Sequence, residues 1–228
     1  MVGLNAFYNF LTGTGVWISL IIFFGGLVIR ATFLYGLSRE RDGQFFNHFD
    51  WGWSLKSVIN WLIPLGSVSL RRQPVFGLAF FLFHLCLLAT PLFLAAHNIM
   101  WEEAWGWSLP SLPDGLADVM TLVVIACAAF LFVRRLVRRE VRIITGAWDY
   151  LVLLLTAAPF VSGFLAYHQA GDYRTTIVLH VLFGEVMLIV IPFTKLGHLM
   201  LFFFTRAFIG SEMGARRQVD GRLGARVW

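Results

Sequence analysis

Apolar residues run in five long blocks, separated by short polar or charged stretches. Each block reaches at least about 18 predominantly apolar residues, the length at which a helix crosses a hydrocarbon core about 30 Å thick. The blocks predict helices near 15–36 (GVWISLIIFFGGLVIRATFLYG), 74–100 (opening PVFGLAFFLFHL), 116–134, 148–168 and 175–205. The pattern therefore predicts an all-α integral membrane five-helix bundle, a single domain over 1–228. No internal repeat or low-complexity segment stands out.

The stretches between the blocks alternate in charge. Residues 37–73 carry Arg39, Arg41, Lys56, Arg71 and Arg72, whereas 101–115 have Glu102, Glu103 and Asp114 and no Lys or Arg. The third stretch, RRLVRREVR, carries Arg134, Arg135, Arg138, Arg139 and Arg142. The fourth has only Arg174, and the tail has Arg206, Arg216, Arg217, Arg222 and Arg226. Basic loops stay in the cytoplasm, so the N-terminus is expected outside and the C-terminus inside. Within 37–73, WGWSLKSVINWLIPLGSVSL mixes apolar residues with few charges and reads as an amphipathic helix at the cytoplasmic interface; the alternative is a docking surface for a cytoplasmic subunit. The 101–113 loop, WEEAWGWSLPSLP, is expected to form an aromatic cap at the outer surface.

Composition agrees: 58% of the 228 residues are hydrophobic and 14% charged, with 23 Phe and 9 Trp. No soluble domain of this size needs so much apolar surface. The net charge of +5 lies beside the blocks, where it sets topology and meets anionic headgroups, so it is no sign of nucleic-acid binding. Cys86 and Cys127 sit inside apolar blocks and form no CxxC pair, which excludes a covalently attached c-type haem and an iron–sulfur cluster held by this chain alone. Both are read as buried free thiols. The first residues, MVGLNAFYNFLTGTG, lack basic residues and a cleavage site, so no signal peptide is expected.

Four histidines fall inside these blocks: His84 and His97 in the second, His180 and His198 in the fifth. Ionisable side chains in hydrocarbon are costly and mark function by default. Histidines facing one another across a bundle are a means of holding haem b by two axial imidazoles. The second block rises from the cytoplasm and the fifth descends, so depth matches His84 with His198 (inner) and His97 with His180 (outer). His180 and His198 are 18 residues apart, five whole turns and about 27 Å along a continuous helix, on one face. His84 and His97 are 13 apart, about 20 Å, with an ideal offset of about 140°. Pro91 lies between them and can kink or rotate the helix.

Further residues surround this set. Gly77, Ala95, Ala96, Gly184 and Gly197 either admit a flat macrocycle or pack helices together. Lys195, one turn before His198, can pair with a haem propionate or snorkel to the headgroups. His168 ends the fourth block near the outer surface and is assigned to a loop or propionate role; His48 is an ordinary loop residue. Glu185 is a carboxylate in the outer half of the fifth block, available to carry protons for a quinone or to bond a neighbouring helix. Arg30 is read as snorkelling to the cytoplasmic face, and Asp149 as a helix cap.

FHLCLLATPLFLAAH at 83–97 and LHVLFGEVMLIVIPFTKLGHL at 179–199 resemble the gamma-subunit family of respiratory nitrate reductase. The marks are the FH opening of the second span and the LH…PF[ST][KR]L-x-H pattern of the fifth. The resemblance covers essentially the whole chain in span order. It implies five spans, an outer N-terminus and two haem b groups, His84 with His198 holding the inner one and His97 with His180 the outer. The His84–His97 spacing is longer than in the nitrate reductase subunit, and the basic residue of its quinol pocket has no match in ADVMTLVVIACAAFLF. These features look more like relatives in sulfate reducers, namely the cytochrome b subunit of the high-molecular-weight cytochrome c complex. That resemblance implies a bacterial inner membrane, a periplasmic multihaem cytochrome c, another integral membrane subunit and cytoplasmic iron–sulfur partners. The expected role is an electron-transfer subunit of an oxidoreductase complex, with menaquinone oxidation or reduction as an addition. The rival expectations are a His/Glu proton relay or transporter, and a haem-free membrane anchor.

Overall fold

The computed structural model describes residues 2–219, with side chains from 3 to 214. Of the tail's basic residues, Arg216, Arg217, Arg222 and Arg226 lie outside the described side chains. The chain is all-α, with no strand among the described residues. Its helices are α1 (Val2–Phe10), α2 (Val16–Arg41), α3 (Trp51–Leu62), α4 (Val68–Arg72), α5 (Pro74–Phe93), α6 (Ala95–Trp105), α7 (Asp114–Val137), α8 (Arg139–Arg142), α9 (Ala147–Tyr167), α10 (Tyr173–Val190) and α11 (His198–Val219). Short 3-10 turns cover Gly43–Asn47 and Lys195–Gly197, and a π-helical turn over Leu11–Gly15 joins α1 to α2. Five helical stretches are long and apolar enough to cross a bilayer: Gly3–Arg41, Pro74–Phe93, Asp114–Val137, Ala147–Tyr167 and Tyr173–Val190.

The chain divides into two compact units. The first combines the first 17 residues with Ala79–Met187. Its core draws Phe83 and Cys86 from α5, Val124 and Ala128 from α7, and Leu153 and Phe160 from α9. Lipid tails are as apolar as these side chains, so close packing rather than water exclusion holds such a core. Small residues serve that end: Ala117 and Ala128 on α7 are both buried. Cys86 and Cys127 are free thiols within this core. Asp149 caps α9 as expected, accepting the Gly146 N–H at 2.9 Å.

The second unit comprises Ile18–Leu78 and the chain from Leu188 on. Here α3 lies against α11 through a polar, small-residue seam. Ser54 Oγ donates to Ala207 O at 2.9 Å, and the Asp50 N–H donates to Ser211 Oγ at 2.8 Å. A Cβ on Gly210 would come within 2.6 Å of Ser57 and of the Trp53 carbonyl, so glycine lets the two helices touch. With its small residues turned inward, α3 leaves Trp51 (79% exposed), Leu55, Ile59 and Leu62 on the opposite face. That outward apolar stripe suits a helix bedded in the membrane interface. On α2, Ile21, Val28, Ile29 and Phe33 are likewise exposed.

Three boundaries differ from expectation. The first helix begins near the chain's start, because the π-helical turn continues α1 into α2 without a break. The 74–100 helix is broken at Leu94, which is extended (φ −70°, ψ 130°), and α6 carries on into the expected aromatic loop as far as Trp105. Pro91, inside α5, has no N–H for the helix ladder and loosens the turn before the break. The 175–205 helix is broken too: α10 stops at Val190, and a 3-10 turn precedes α11. Pro192 follows two residues after that stop, where it cannot extend the ladder. The face and length computed for a continuous helix between His180 and His198 therefore do not apply.

Candidate functional site

The four expected ligands share one hydrogen-bonding mode. His84 Nδ1 bonds Phe80 O, His97 Nδ1 bonds Pro91 O, His180 Nδ1 bonds Pro159 O, and His198 Nδ1 bonds Lys195 O, each at 2.8 Å. A carbonyl only accepts, so Nδ1 must carry the hydrogen. In the neutral ring Nε2 then holds the lone pair. This is how metal-ligating histidines are oriented from behind. His168 differs: its Nε2 bonds Asp118 Oδ1 at 2.9 Å, and it is 41% exposed. His168 thus ties the end of α9 to α7.

In the first unit the structure brings His97 and His180 together. Their ring centroids are 6.0 Å apart and their planes 23° from parallel. His97 follows the break at Leu94, so the offset from His84 expected for one continuous helix does not apply to it. His97 itself bridges the break. Its ring takes Pro91 O, while Leu112 N takes Phe93 O at 2.8 Å. Buried Asn98 fastens the start of α6 to the following loop, donating to Ser111 Oγ at 3.2 Å and accepting Leu109 N at 3.1 Å.

His180 is seated against α9. A Cβ on Gly163 would lie 2.8 Å from His180 Cε1 and 2.9 Å from Nδ1, so only glycine lets the ring in. Nothing in the local sequence marks Gly163 for this task; it lies 17 positions from the histidine it serves. Trp101 lies 6.5 Å from His97, and the rings of Trp101, Trp105 and Trp107 cluster at 6.1–6.4 Å from one another. Trp17 joins Trp105 at 6.1 Å. The expected aromatic cap is therefore built from helix α6 as well as from loop.

Glu185 is buried and its Oε1 has no hydrogen-bond partner. Its carboxylate sits against the π-helical turn, where a Cβ on Gly15 would come within 2.9 Å of Oε2. π-helical turns of this kind recur at functional sites.

His84 belongs to the first unit and His198 to the second. His84 is half-buried, with Phe80 and Phe83 against its ring at 4.2 and 5.4 Å. His198 is exposed at the start of α11, directly after the 3-10 turn that begins with Lys195, also exposed. Arg30 does not snorkel: its Nη1 donates to Pro192 O at 2.6 Å and to Thr194 O at 3.1 Å. Of the small residues, Gly77 packs against Leu65 and Leu70, Gly197 against Arg30, and Gly184 has open space. Among these three glycines, Gly184 leaves room for a further group, and Ala96 is exposed.

Among the described residues, no three His, Cys, Asp or Glu side chains gather to hold a bare metal ion. A cavity of about 470 Å³ lies between residues 41–45 and 208–213, lined by Arg41, Phe45, Phe208 and Met213, and none of the histidines borders it.

No protein-family model matches the chain, and no solved structure matches it. A relative from Nitratidesulfovibrio vulgaris (strain Hildenborough), described only as "Protein", is 44% identical over 225 residues, covering 97% of this chain and all of its own length. The chain belongs to the family that contains this N. vulgaris protein.

Proposed function

We propose that the protein is a di-haem b membrane subunit that carries electrons across a bacterial inner membrane. One observation carries the reading: four histidines, His84 and His180 inside membrane-length helices and His97 and His198 on the helices that follow them, all turn Nδ1–H to a backbone carbonyl at 2.8 Å, which leaves Nε2 with the lone pair a haem iron would need. The spacing of His97 and His180 supports it. Two imidazoles this close would be able to hold one haem iron between them. The observed distance is 6.0 Å.

Two imidazoles are also a sufficient protein donor set for a porphyrin-held iron, which takes four ligands from the macrocycle. Haem b supplies a one-electron carrier at each level when bound. The chain's own residues do the rest. Pro91 O and Pro159 O hold the outer imidazoles in one tautomer and orientation, Gly163 makes room for the His180 ring, and the tryptophan cluster shields the outer pair from water. His84 and His198 are proposed for the inner haem on the family resemblance, with Lys195 as a propionate partner. This reading extends the resemblance to the nitrate reductase gamma-subunit family and to the cytochrome b subunit of the high-molecular-weight cytochrome c complex. By that extension the partners are a periplasmic multihaem cytochrome c, a further membrane subunit and cytoplasmic iron–sulfur proteins, with α3 bedded in the cytoplasmic interface.

A second reading rests on Glu185, a buried carboxylate with an unpartnered oxygen, five residues past His180 on α10. It favours proton exchange with a quinone such as menaquinone beside the outer pair. His168 is engaged with Asp118 and is the weaker candidate for that task.

The test is a reduced-minus-oxidised spectrum with a pyridine haemochrome count on the purified chain. The expected result is two haem b per chain. A colourless protein would sink the proposal and leave the anchor and proton-relay readings in its place.

A further inference from the structure

The break before His198 is held from outside its own helix. Past Val190 the chain loses its helical ladder, so the Pro192 carbonyl takes a donor from elsewhere, and the Thr194 carbonyl, which already accepts the Gly197 N–H at 3.1 Å, takes a second one. Arg30, on α2, supplies both bonds through one nitrogen, at 2.6 and 3.1 Å. Gly26, one turn earlier on α2, packs on Pro192 so closely that a Cβ there would lie 2.7 Å from the ring. Gly197, inside the 3-10 turn, lies against the Arg30 guanidinium, and a side chain at 197 would collide with it.

The turn that Arg30 holds is the one that aims His198. Thr194 Oγ1 accepts the Leu196 N–H at 3.2 Å and so shapes the turn. Lys195 O, inside it, accepts His198 Nδ1–H at 2.8 Å. Arg30 therefore holds the Pro192 and Thr194 carbonyls, and the carbonyl of Lys195, the next residue along the backbone, holds the imidazole. A cation inside a span normally marks function, and here it is directed at backbone rather than at a headgroup.

We propose that Arg30 is a positioning residue for His198: by clamping the Pro192–Thr194 carbonyls it sets the orientation in which His198 offers Nε2 to the inner haem. The inference rests on the haem reading above. Arg30 does not touch the iron and acts only through the turn.

The experiment compares purified wild type with His198→Ala, His180→Ala, Arg30→Ala, Arg30→Met and Gly197→Ala, by haem count and by the low-spin electron paramagnetic resonance signals. His198→Ala and His180→Ala identify the inner and outer signals. Arg30→Ala is expected to shift or deplete the signal lost in His198→Ala, and to leave the signal lost in His180→Ala at its wild-type level as an internal check on folding. Gly197→Ala, which pushes the guanidinium away, is expected to reproduce the same selective defect. Three results would overturn the inference: an unchanged inner signal in Arg30→Ala, equal loss of both signals, or full recovery in Arg30→Met, which fills the space without a donor. A wild type with no haem would remove the proposed function and this inference together. Two haems in wild type with an indifferent Arg30→Ala would remove this inference alone.

Discussion

Two broken helices carry the candidate ligands, and they are mended differently. At Leu94 the repair is local. His97, three residues past the break, reaches back to Pro91 O, and Leu112 from the next loop takes Phe93 O. At Pro192 the repair comes from a remote helix, through Arg30. Both solve one problem: a carbonyl freed where a helix breaks has to find a donor outside the helical ladder. The local solution makes the ligand part of the mend, so His97 is oriented by the break itself. The remote solution separates the two jobs, so His198 depends on a residue that nothing nearby in sequence identifies.

The comparison can be broken at several points. The largest effect is expected from the proposed haem ligands. His97→Ala or His180→Ala should each lower the pyridine haemochrome count from two to one per chain, because one imidazole cannot complete a bis-histidine site. Next comes the seat of His180. Gly163→Val drives a branched side chain into a ring that already lies 2.8 Å from the Cβ position, and should deplete the outer haem while destabilising the protein by about 1–3 kcal/mol in thermal unfolding in detergent. Asn98→Ala removes both ties from α6 to its loop, leaving Leu109 N–H unpaired, and should cost about 1–3 kcal/mol by the same measurement.

Pro91→Ala sharpens the contrast between local and remote repair. The acceptor for His97 is the residue-91 carbonyl, which any residue provides, so the outer haem count should stay at its wild-type level. Loss of the outer haem in that variant would show that the proline ring, and not the bond to the histidine, sets the break. The smallest effect is at Asp172, before α10. The Thr175 hydroxyl, at 2.6 Å, and its N–H hold this carboxyl below the usual carboxylate range. A carboxyl held low in the folded state contributes stability above its unfolded value and loses it as pH falls through the folded one. The Asp172 contribution should therefore fade only in acid, and Asp172→Asn should flatten that slope slightly in an unfolding series against pH, since the group is fully exposed to water.

Much of this architecture is legible before any coordinates. Five apolar blocks of membrane length are a one-dimensional signal, because a helix in lipid satisfies its backbone alone and needs only enough apolar residues to cross. Asp149 as a cap and the two free thiols are legible for the same reason, since each depends on near neighbours or on residue type. The helix ends in the second and fifth blocks are not. Ile, Leu and Phe continue through both breaks, so hydropathy sees no interruption at Leu94 or Ile191. Proline at 91 and 192 is the visible signal, but it does not say whether the helix kinks or stops.

Residue types and spacing alone determine that the chain is helical, that it has five membrane-length stretches, and that four histidines lie within two of its apolar blocks. Tertiary structure decided the rest. It brought His97 to 6.0 Å from His180, with the break at Leu94 separating His97 from the helix that carries His84. It turned Arg30 from the headgroups to the Pro192 and Thr194 carbonyls, and put Gly163 beneath the His180 ring. The reason is common to all three. A hydrogen bond or a steric fit between residues 17 to 164 positions apart depends on where two helices meet, and no local pattern encodes a meeting point.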